Sequence, residues 1–187
     1  MPYSVTQKEI PDVLVLTPRV FEDPRGFFFE SFNQREFEKS TGLSCQFVQD
    51  NHSKSSAGVL RGLHYQLRHP QGKLVRVLAG AIYDVAVDLR PSSGTFGQWV
   101  CETLTAEKKN QLWVPAGFAH GFLVLSENAE VAYKTTDYWH PEDEHSLLWS
   151  DPSLAIPWPI VSAPLVAEKD RTARGFAETN AAILQHM

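Results

Sequence analysis

Two histidines of this 187-residue chain lie in segments that would expose a side chain to a ligand. His64 belongs to the run Arg61-Gly62-Leu63-His64-Tyr65-Gln66, and His120 follows a turn that contains Pro115 and Gly117. Imidazole titrates near neutral pH in model peptides, so a histidine in a cavity is suited to accept or release a proton. A single histidine could instead be a structural residue, with its ring buried in the core and its hydrogen bonds satisfied. Arg61 and Lys73 on the same and the next predicted strand favour a site, and Gly62 would leave open space beside the imidazole for a ligand.

The spacing Pro115-x-Gly117-x-x-His120 matches the second sequence motif of the cupins. Metal-binding cupins combine this histidine with a His-x-His pair and a glutamate. The present chain has His64-Tyr65-Gln66, so the second histidine of that pair is missing. Transition-metal sites normally use three or four protein ligands. The sequence therefore predicts a cupin fold with no metal, and both histidines remain available for proton transfer or hydrogen bonding.

A third candidate is the segment from Tyr133 to Trp139. Strand periodicity would place Tyr133, Thr135, Asp137 and Trp139 on one face. A phenol in a cavity can act as a general acid, and an indole offers a flat surface for a base to stack on. The alternative is the polar and aromatic outer face of an exposed strand.

Two charged segments complete the candidates. Arg25, in the turn from Pro24 to Gly26, would with Arg61 suit an anionic phosphate, because guanidinium pairs with two phosphate oxygens at once. Gln49 and Asn51, with Asp50 between them, add amide donors and acceptors nearby. The run Glu168-Lys169-Asp170-Arg171 is typical of a solvated face, and periodicity alone gives it no role.

Short alternating segments separated by Gly, Pro, Ser and Asn must position these residues. The segment 83–89 alternates apolar residues with Asp84 and Asp88, which predicts a half-buried strand. Asn33 is suited to cap a helix over 34–39 with Gly42 after its end, and a second helix is predicted over 177–185. The predicted strands are 13–16, 26–32, 46–50, 59–66, 73–78, 83–89, 98–104, 111–114, 121–125 and 129–138.

Roughly ten strands in one domain curl or split rather than form a single open sheet. We therefore predict an all-β protein: a cupin-type jelly-roll sandwich or barrel with a few short helices and a C-terminal helix, as one domain over residues 1–187.

Composition excludes several classes of function. The chain has 17 Lys+Arg against 22 Asp+Glu, a formal net charge of -5, which argues against a nucleic-acid-binding module. No signal-peptide run is present and no stretch approaches a membrane span. Cys45 and Cys101 cannot form a disulfide framework and suit a reducing compartment. These features predict a soluble cytoplasmic protein.

Seven short motifs follow one another along the chain. They are Asp23-Pro24-Arg25-Gly26, Gln49-Asp50-Asn51-His52-Ser53, Leu60-Arg61-Gly62-Leu63-His64, Gln71-Gly72-Lys73-Leu74-Val75, the segment from Val114 to Phe122, Tyr133-Lys134 and Lys169-Asp170. Taken together, these segments resemble the dTDP-4-dehydrorhamnose 3,5-epimerase family of cupin-fold sugar-nucleotide epimerases. The resemblance runs from about Val13 to Arg171, and the order and spacing of its motifs make it specific.

The resemblance implies roles for individual residues. His64 would be the general base, oriented by Asp170, Tyr133 the general acid on the opposite face, and Lys73 a cation near the sugar C4 oxygen. Trp139 would stack on thymine, at a position where the family usually has an aromatic. The substrate pocket would further include Arg25, Glu30, Gln49, Asp50, Asn51, Arg61, His120, Glu144 and Lys169.

The resemblance also implies the activity and the assembly. The substrate would be a dTDP-4-keto-6-deoxyhexose, inverted at C3 and C5 without metal or organic cofactor. The protein would be a homodimer whose partner lends the Arg25 and Glu30 region to the site. Three alternatives remain open: epimerisation at C3 only, a 3,4-keto isomerase, and a non-catalytic cupin that binds a nucleotide sugar.

Overall fold

Two facing sheets dominate the computed structural model, which describes residues 3–185. The first sheet has the strand order β1-β2-β10-β7-β12-β5, and the second has β13-β6-β11-β8-β9, with β14 parallel to β6. The strands are β1 (Ser4–Gln7), β2 (Leu14–Thr17), β3 (Phe21–Asp23), β4 (Gly26–Phe28), β5 (Gln49–Ser56), β6 (Val59–Gln66), β7 (Lys73–Ala79), β8 (Ala81–Asp88), β9 (Trp99–Thr105), β10 (Gln111–Val114), β11 (Phe118–Val124), β12 (Asn128–Thr135), β13 (Glu144–Ser146) and β14 (Leu165–Val166). The helices are α1 (Gln34–Thr41), α2 (Glu168–Arg171) and α3 (Phe176–Gln185), with a 3₁₀ turn at Pro141–Asp143.

This arrangement confirms the predicted jelly roll. Strands β3 and β4 form a separate hairpin that joins neither sheet. Among residues 3–185, no helix has the length and apolar content needed to cross a membrane.

The main core fills the space between the sheets. Alternate residues of β7 and β12, such as Val75 and Val131, point inward and pack against Phe122 and Leu104 of the facing layer. Side chains of a strand alternate between its faces, so the intervening Leu74 lies on the outer face of the first sheet. Burying one such aliphatic side chain stabilises the fold by about 1.5–3 kcal/mol.

The outer face of each sheet is partly covered as well. Phe37 of α1 packs with Trp113 on the first sheet, at a ring-centroid distance of 5.6 Å. Asn33 caps α1 by accepting a hydrogen bond from the Glu36 N–H, and Gly42 ends it at a φ of 74°, as predicted. The helix continues to Thr41, two residues beyond the predicted end.

The second sheet is covered by the C-terminal part of the chain, and this overturns the prediction of a half-buried β8. Leu147, Leu154 and Ile183 pack on its outer face. Asp84 and Asp88 are both fully buried (0% exposed). The alternation of β8 is real, but both of its faces are inside the molecule.

Three predicted strands differ in extent from the observed ones in ways that affect the site. Strand β12 ends at Thr135, so Asp137 and Trp139 lie in the following loop rather than on one strand face with Tyr133. The predicted strand over 26–32 is only β4, which ends at Phe28. In contrast, β5 runs on to Ser56, although its residues are mostly polar, because it pairs along its whole length with β12.

Candidate active site

A cavity of about 250 Å³ opens between the two sheets and brings together half of the predicted site residues. Its lining consists of Gln49, Asn51, His64, Gln71, Lys73, Tyr133, Trp139 and Glu144. A larger cavity, of about 450 Å³, lies on the outer face of the first sheet beside Leu74 and Arg76. We assign the site to the smaller cavity, because a histidine, a lysine, a tyrosine and a carboxylate converge there.

His64 is held by a buried carboxylate. Its Nε2 lies 2.6 Å from Oδ1 of Asp170, whose side chain is only 2% exposed. Asp170 also accepts hydrogen bonds from the Gly62 N–H at 3.1 Å and from the Ser146 hydroxyl at 3.0 Å. Burial alone would raise the pKa of Asp170, but the hydrogen bond and charge of His64, with the other two donors, bring that pKa below its usual value. Asp170 is therefore an ionised partner that fixes the orientation of the imidazole.

The short helix α2 places Asp170 in this position. Three of its four residues form the expected exposed charge run, whereas Asp170 turns inward and is 1% exposed. The prediction of a solvated face is thus wrong for this one residue. The contact spans 106 positions in sequence, which no local pattern reveals.

Gly62 serves a different purpose from the one predicted. The sequence suggested that it leaves open space beside the imidazole of His64. In the structure, a Cβ built at Gly62 would lie 2.6 Å from the carbonyl oxygen of His120, and its φ of +101° favours glycine. Strands β6 and β11 also shift register at this point. Gly62 permits a close backbone approach that pairs His64 with His120 across the two strands.

His120 forms a second histidine–carboxylate pair. Its Nε2 lies 2.5 Å from Oδ1 of Asp84, and both side chains are buried. The other carboxylate oxygen, Oδ2, has no hydrogen-bond partner among the described residues. Sequence reasoning missed Asp84, since the alternation of β8 assigned it to an exposed face. Its only signal was its repeated spacing with Asp88 in an otherwise apolar strand.

Lys73 supplies a buried cation next to these pairs. Burial lowers the pKa of Lys73 to about 8, although the negative charges of Asp84 and Glu144 act in the opposite direction. A lysine in this range is largely protonated at neutral pH, and it stands ready to stabilise negative charge on a ligand.

Tyr133 faces His64 from the other sheet. It lies on β12 of the first sheet and His64 on β6 of the second, and both line the cavity. Burial raises the pKa of Tyr133, an effect that Glu144 reinforces and Arg61 opposes. The phenol is therefore protonated at neutral pH and can donate its proton.

The rim of the cavity carries the remaining polar residues. Glu144 accepts a hydrogen bond from the Lys169 ammonium at 2.5 Å. Gln49 donates to Asn51 at 3.0 Å and accepts from the backbone N–H of Trp139. The Trp139 side chain is 54% exposed, so it offers an indole face at the mouth of the cavity.

Six predicted substrate-binding residues lie outside the lining of this cavity, including His120 and Lys169, whose contacts with Asp84 and Glu144 are given above. Arg25 sits on the exposed β3–β4 hairpin and pairs with Asp23 at 2.6 Å, and Glu30 accepts a hydrogen bond from Asn33. Asp50 points to the outer side of the first sheet, where it binds Lys134 at 2.8 Å. Arg61 donates to Ser55 at 2.9 Å.

Gln71 lines the site and Ser146 supports it through Asp170, although sequence reasoning assigned no role to either residue. Gln71 belongs to a predicted motif, whereas Ser146 lies in β13, a strand that periodicity did not predict. Among residues 3–185, no cluster of three or more His, Cys, Asp and Glu side chains is arranged to hold a metal ion.

A jelly roll that encloses a histidine–aspartate pair, a buried lysine and an opposing tyrosine defines a cupin-type isomerase that moves protons. Comparison with known proteins gives the particular family. The family model described as dTDP-4-dehydrorhamnose 3,5-epimerase matches residues 7–178. The chain belongs to the dTDP-4-dehydrorhamnose 3,5-epimerase family.

Similarity to individual proteins supports the same family assignment. The chain is 62% identical to the dTDP-4-dehydrorhamnose 3,5-epimerase of Pseudomonas aeruginosa, over 95% of this chain and 98% of that protein. It is 49% identical to the Legionella pneumophila epimerase solved in complex with dTDP-4-keto-L-rhamnose, with a TM-score of 0.94 over 97% and 96% of the two chains. A 3'-monoepimerase from Streptomyces bikiniensis, bound to dTDP-quinovose, is 31% identical, with a TM-score of 0.87 over 96% and 95%.

Proposed function

We propose that the enzyme inverts C3 and C5 of dTDP-4-dehydro-6-deoxy-D-glucose to give dTDP-4-dehydro-L-rhamnose, in dTDP-L-rhamnose biosynthesis. The observation that carries this proposal is the His64–Asp170 pair facing Tyr133 and Lys73 across one cavity. Membership of the family and the 62% identity to a named 3,5-epimerase support it.

The chemistry follows from the C4 ketone. Both C3 and C5 are α to that carbonyl, so removal of a proton from either carbon gives an enolate with its negative charge on the C4 oxygen. The Lys73 ammonium would stabilise this charge. It interacts more strongly with the enolate than with the neutral ketone, which lowers the barrier to proton removal.

His64 takes the proton in this proposal. Its Nε2 is engaged by Asp170, which leaves Nδ1 for the substrate. The imidazolium that forms is stabilised by the adjacent carboxylate. In the chair of a glucose-configured ring, the hydrogens on C3 and C5 are axial on the same face, so a single base suffices for both carbons.

Tyr133 returns a proton from the opposite side. Delivery to the face away from His64 inverts the carbon, and the C4 carbonyl forms again as the enolate collapses. Because burial raises the pKa of Tyr133, the phenol keeps its proton until the enolate takes it. Solvent then restores the protonation states of His64 and Tyr133.

The nucleotide half would lie toward the rim. Trp139 offers its exposed indole to thymine, and Arg61 and Lys169 are cations suited to the diphosphate. The carboxylate of Glu144 holds Lys169 in place. Gln49 and Asn51 add amide groups for the sugar.

A homodimer would complete the site. Arg25 and Glu30 lie outside the cavity of their own chain, and the hairpin that carries Arg25 exposes Phe27 and Phe28 (61% and 69%). Apolar side chains exposed next to each other on a surface are typical of an interface. We propose that this hairpin reaches the cavity of a second copy of the chain.

Incubation with dTDP-4-dehydro-6-deoxy-D-glucose in heavy water tests the proposal. Mass spectrometry and NMR should show deuterium at both C3 and C5, with the L-rhamno configuration in the product. Deuterium and inversion at C3 alone would favour the 3-epimerase alternative. Binding without any exchange would leave a non-catalytic nucleotide-sugar cupin, and His64→Ala serves as the control because it removes the base.

A further inference from the structure

One buried side chain holds the backbone on both sides of Trp139. The amide nitrogen of Gln66 donates to the carbonyl oxygens of His69 at 2.6 Å and Tyr138 at 3.1 Å. Its amide oxygen accepts from the N–H of His140 at 2.8 Å. Gln66 is 6% exposed and does not line the active-site cavity. It therefore contacts the loop of Trp139 from inside the protein rather than from the substrate side.

Neighbouring groups hold the same loop. Gln49 accepts a hydrogen bond from the Trp139 N–H at 3.0 Å, so residues 138, 139 and 140 are each tied through the backbone. The rings of His69 and His140 stack at a centroid distance of 3.9 Å. The buried carboxylate of Asp143 accepts from the N–H of His69 at 2.8 Å. Gln66 thus joins two loops of the rim to each other.

We propose that Gln66 is a positioning residue that holds Trp139 ready to receive the nucleotide base. The inference rests on the proposed function, because the base belongs to the proposed substrate. Trp139 is about half exposed and its indole contacts Glu144 at the cavity, so the placement of the ring depends largely on the backbone of its loop. A loop that is already ordered loses less conformational entropy when the ligand binds.

The chemistry of the side chain explains why glutamine is needed here. The three contacts require two donors and one acceptor at the end of one side chain, and a primary amide supplies both. Neutral histidine, the residue of metal-binding cupins at this place, offers one donor and one acceptor. Ionised glutamate offers acceptors only, and its charge would face two carbonyl oxygens.

The effect should appear in binding rather than in the proton transfers. His64, Lys73 and Tyr133 lie on strands and Asp170 on α2, whereas Trp139 lies in a loop, and the side-chain hydrogen bonds of Gln66 hold none of these four proton-transfer groups. An indole stacked on the base interacts equally with substrate and transition state. Loss of such uniform binding raises KM and leaves kcat nearly unchanged.

The first experiment compares Gln66→Met with wild type. Methionine keeps the length and the buried volume but makes none of the hydrogen bonds, so we expect KM and the Kd for dTDP to rise about tenfold and kcat to change less than about twofold. Asn110→Leu is the matched control. Asn110 is also a buried amide that both donates to and accepts from the backbone, at Thr103 and Thr105 of β9, but it lies just before β10, and its loss should leave KM unchanged.

A double-mutant cycle with Trp139→Ala separates positioning from general destabilisation. If Gln66 acts through the indole, Gln66→Met should weaken dTDP binding in the wild-type background and have little effect in the Trp139→Ala background. An equal loss in both backgrounds, or no loss in either, would overturn the proposal. Calorimetry with dTDP measures all four proteins without relying on turnover.

Gln66→Glu provides a second variant in case Gln66→Met fails to fold. Protonated glutamic acid regains one donor, so its KM relative to wild type should fall as the pH is lowered from about 8 to about 5.5. A ratio independent of pH would contradict the donor role of Gln66. Failure of the wild-type protein to bind dTDP at all would instead overturn the proposed function, and this inference with it.

Discussion

The role of Asp170 is determined by contacts with residues that are distant in sequence. It stands among exposed charges, yet it accepts hydrogen bonds from His64, Gly62 and Ser146 and is nearly inaccessible to solvent. Its carboxyl pKa is lowered, so the stability it contributes is present above the unfolded pKa, near 3.9, and is lost as the pH falls through the folded value.

We expect Asp170→Asn to reduce kcat by about 10²–10⁴-fold while leaving measurable exchange. The imidazole of His64 remains, but the charge that stabilises its protonated form is gone. Deuterium wash-in at C3 and C5, measured by NMR, checks this expectation. Wild-type activity in the folded variant would remove Asp170 from the mechanism.

The buried ammonium of Lys73 predicts the basic limb of the pH profile. Its pKa is about 8, and only the protonated form stabilises the enolate, so kcat/KM should decline as the pH rises through that value. Lys73→Arg keeps its charge at higher pH and should move the decline upward, at a lower maximal rate. Steady-state rates from about pH 6 to about pH 10 test this, and an unmoved limb would assign it to another group.

Tyr133→Phe should separate exchange from inversion. The variant keeps the ring and the base His64, so it should still wash deuterium into the substrate by returning it from the original face. It should yield little inverted product, because the donor on the other face is missing. The cost in stability should be about 1 kcal/mol for the lost polar group. Inversion of both centres at the wild-type rate would exclude Tyr133 as the acid.

At the scale of elements, helix ends and strand alternation could be predicted from the sequence, because both depend on residues that are close together in the chain. Asn33 and Gly42 mark the ends of α1, since capping depends on residues within one turn. The alternation of β7 and β12 likewise indicates strands, because period two is local. His64, Lys73 and Tyr133 could be placed on such strands before their contacts were known.

Burial and loop order could not be predicted, because both depend on contacts with distant segments that cover or pair with each element. The burial of Asp84 requires the facing sheet, and the burial of the opposite face of β8 requires the C-terminal segment; neither is visible in residues 83–89. The polar strand β5 is held by pairing with β12 rather than by its own pattern. The loop that presents Trp139 is ordered by Gln66 and Gln49, whose partners are more than 70 positions away.

The close approach of β6 and β11 can be tested directly. A Cβ at Gly121 would lie 2.6 Å from the carbonyl oxygen of Arg61, so Gly121→Ala must push the two strands apart. We expect a loss of about 1–3 kcal/mol in the free energy of unfolding and slower exchange, because His64 and His120 are a cross-strand pair here. Urea denaturation and deuterium wash-in measure the two effects.

Gly94→Ala is the matched control for this substitution. A Cβ at Gly94 meets nothing within 4 Å, and the residue lies in the turn before β9. Its stability and activity should equal those of wild type. A similar loss in both variants would mean that the strand contact is not the cause.

At the scale of the whole molecule, the proposed dimer predicts complementation between inactive variants. Arg25→Ala lacks the residue lent to the partner, and His64→Ala lacks the base in its own cavity. In an equal mixture, half of the dimers are mixed and each has one intact site, so about a quarter of wild-type activity should return. Mixing after partial unfolding and refolding, with the mass in solution measured by ultracentrifugation, tests this. No recovery among mixed dimers would place Arg25 in its own chain's site.

The anchoring of His64 on one sheet and Tyr133 on the other has a consequence for product choice. In the proposed mechanism both axial hydrogens of the ring face His64, so the protein would not have to turn the sugar over between its two inversions. After the first inversion, the second one competes only with dissociation of the singly epimerised intermediate. The number of inverted centres is then a ratio of two rates, and tighter retention of the nucleotide would turn a single epimerisation into a double one without any change in the groups that carry the protons.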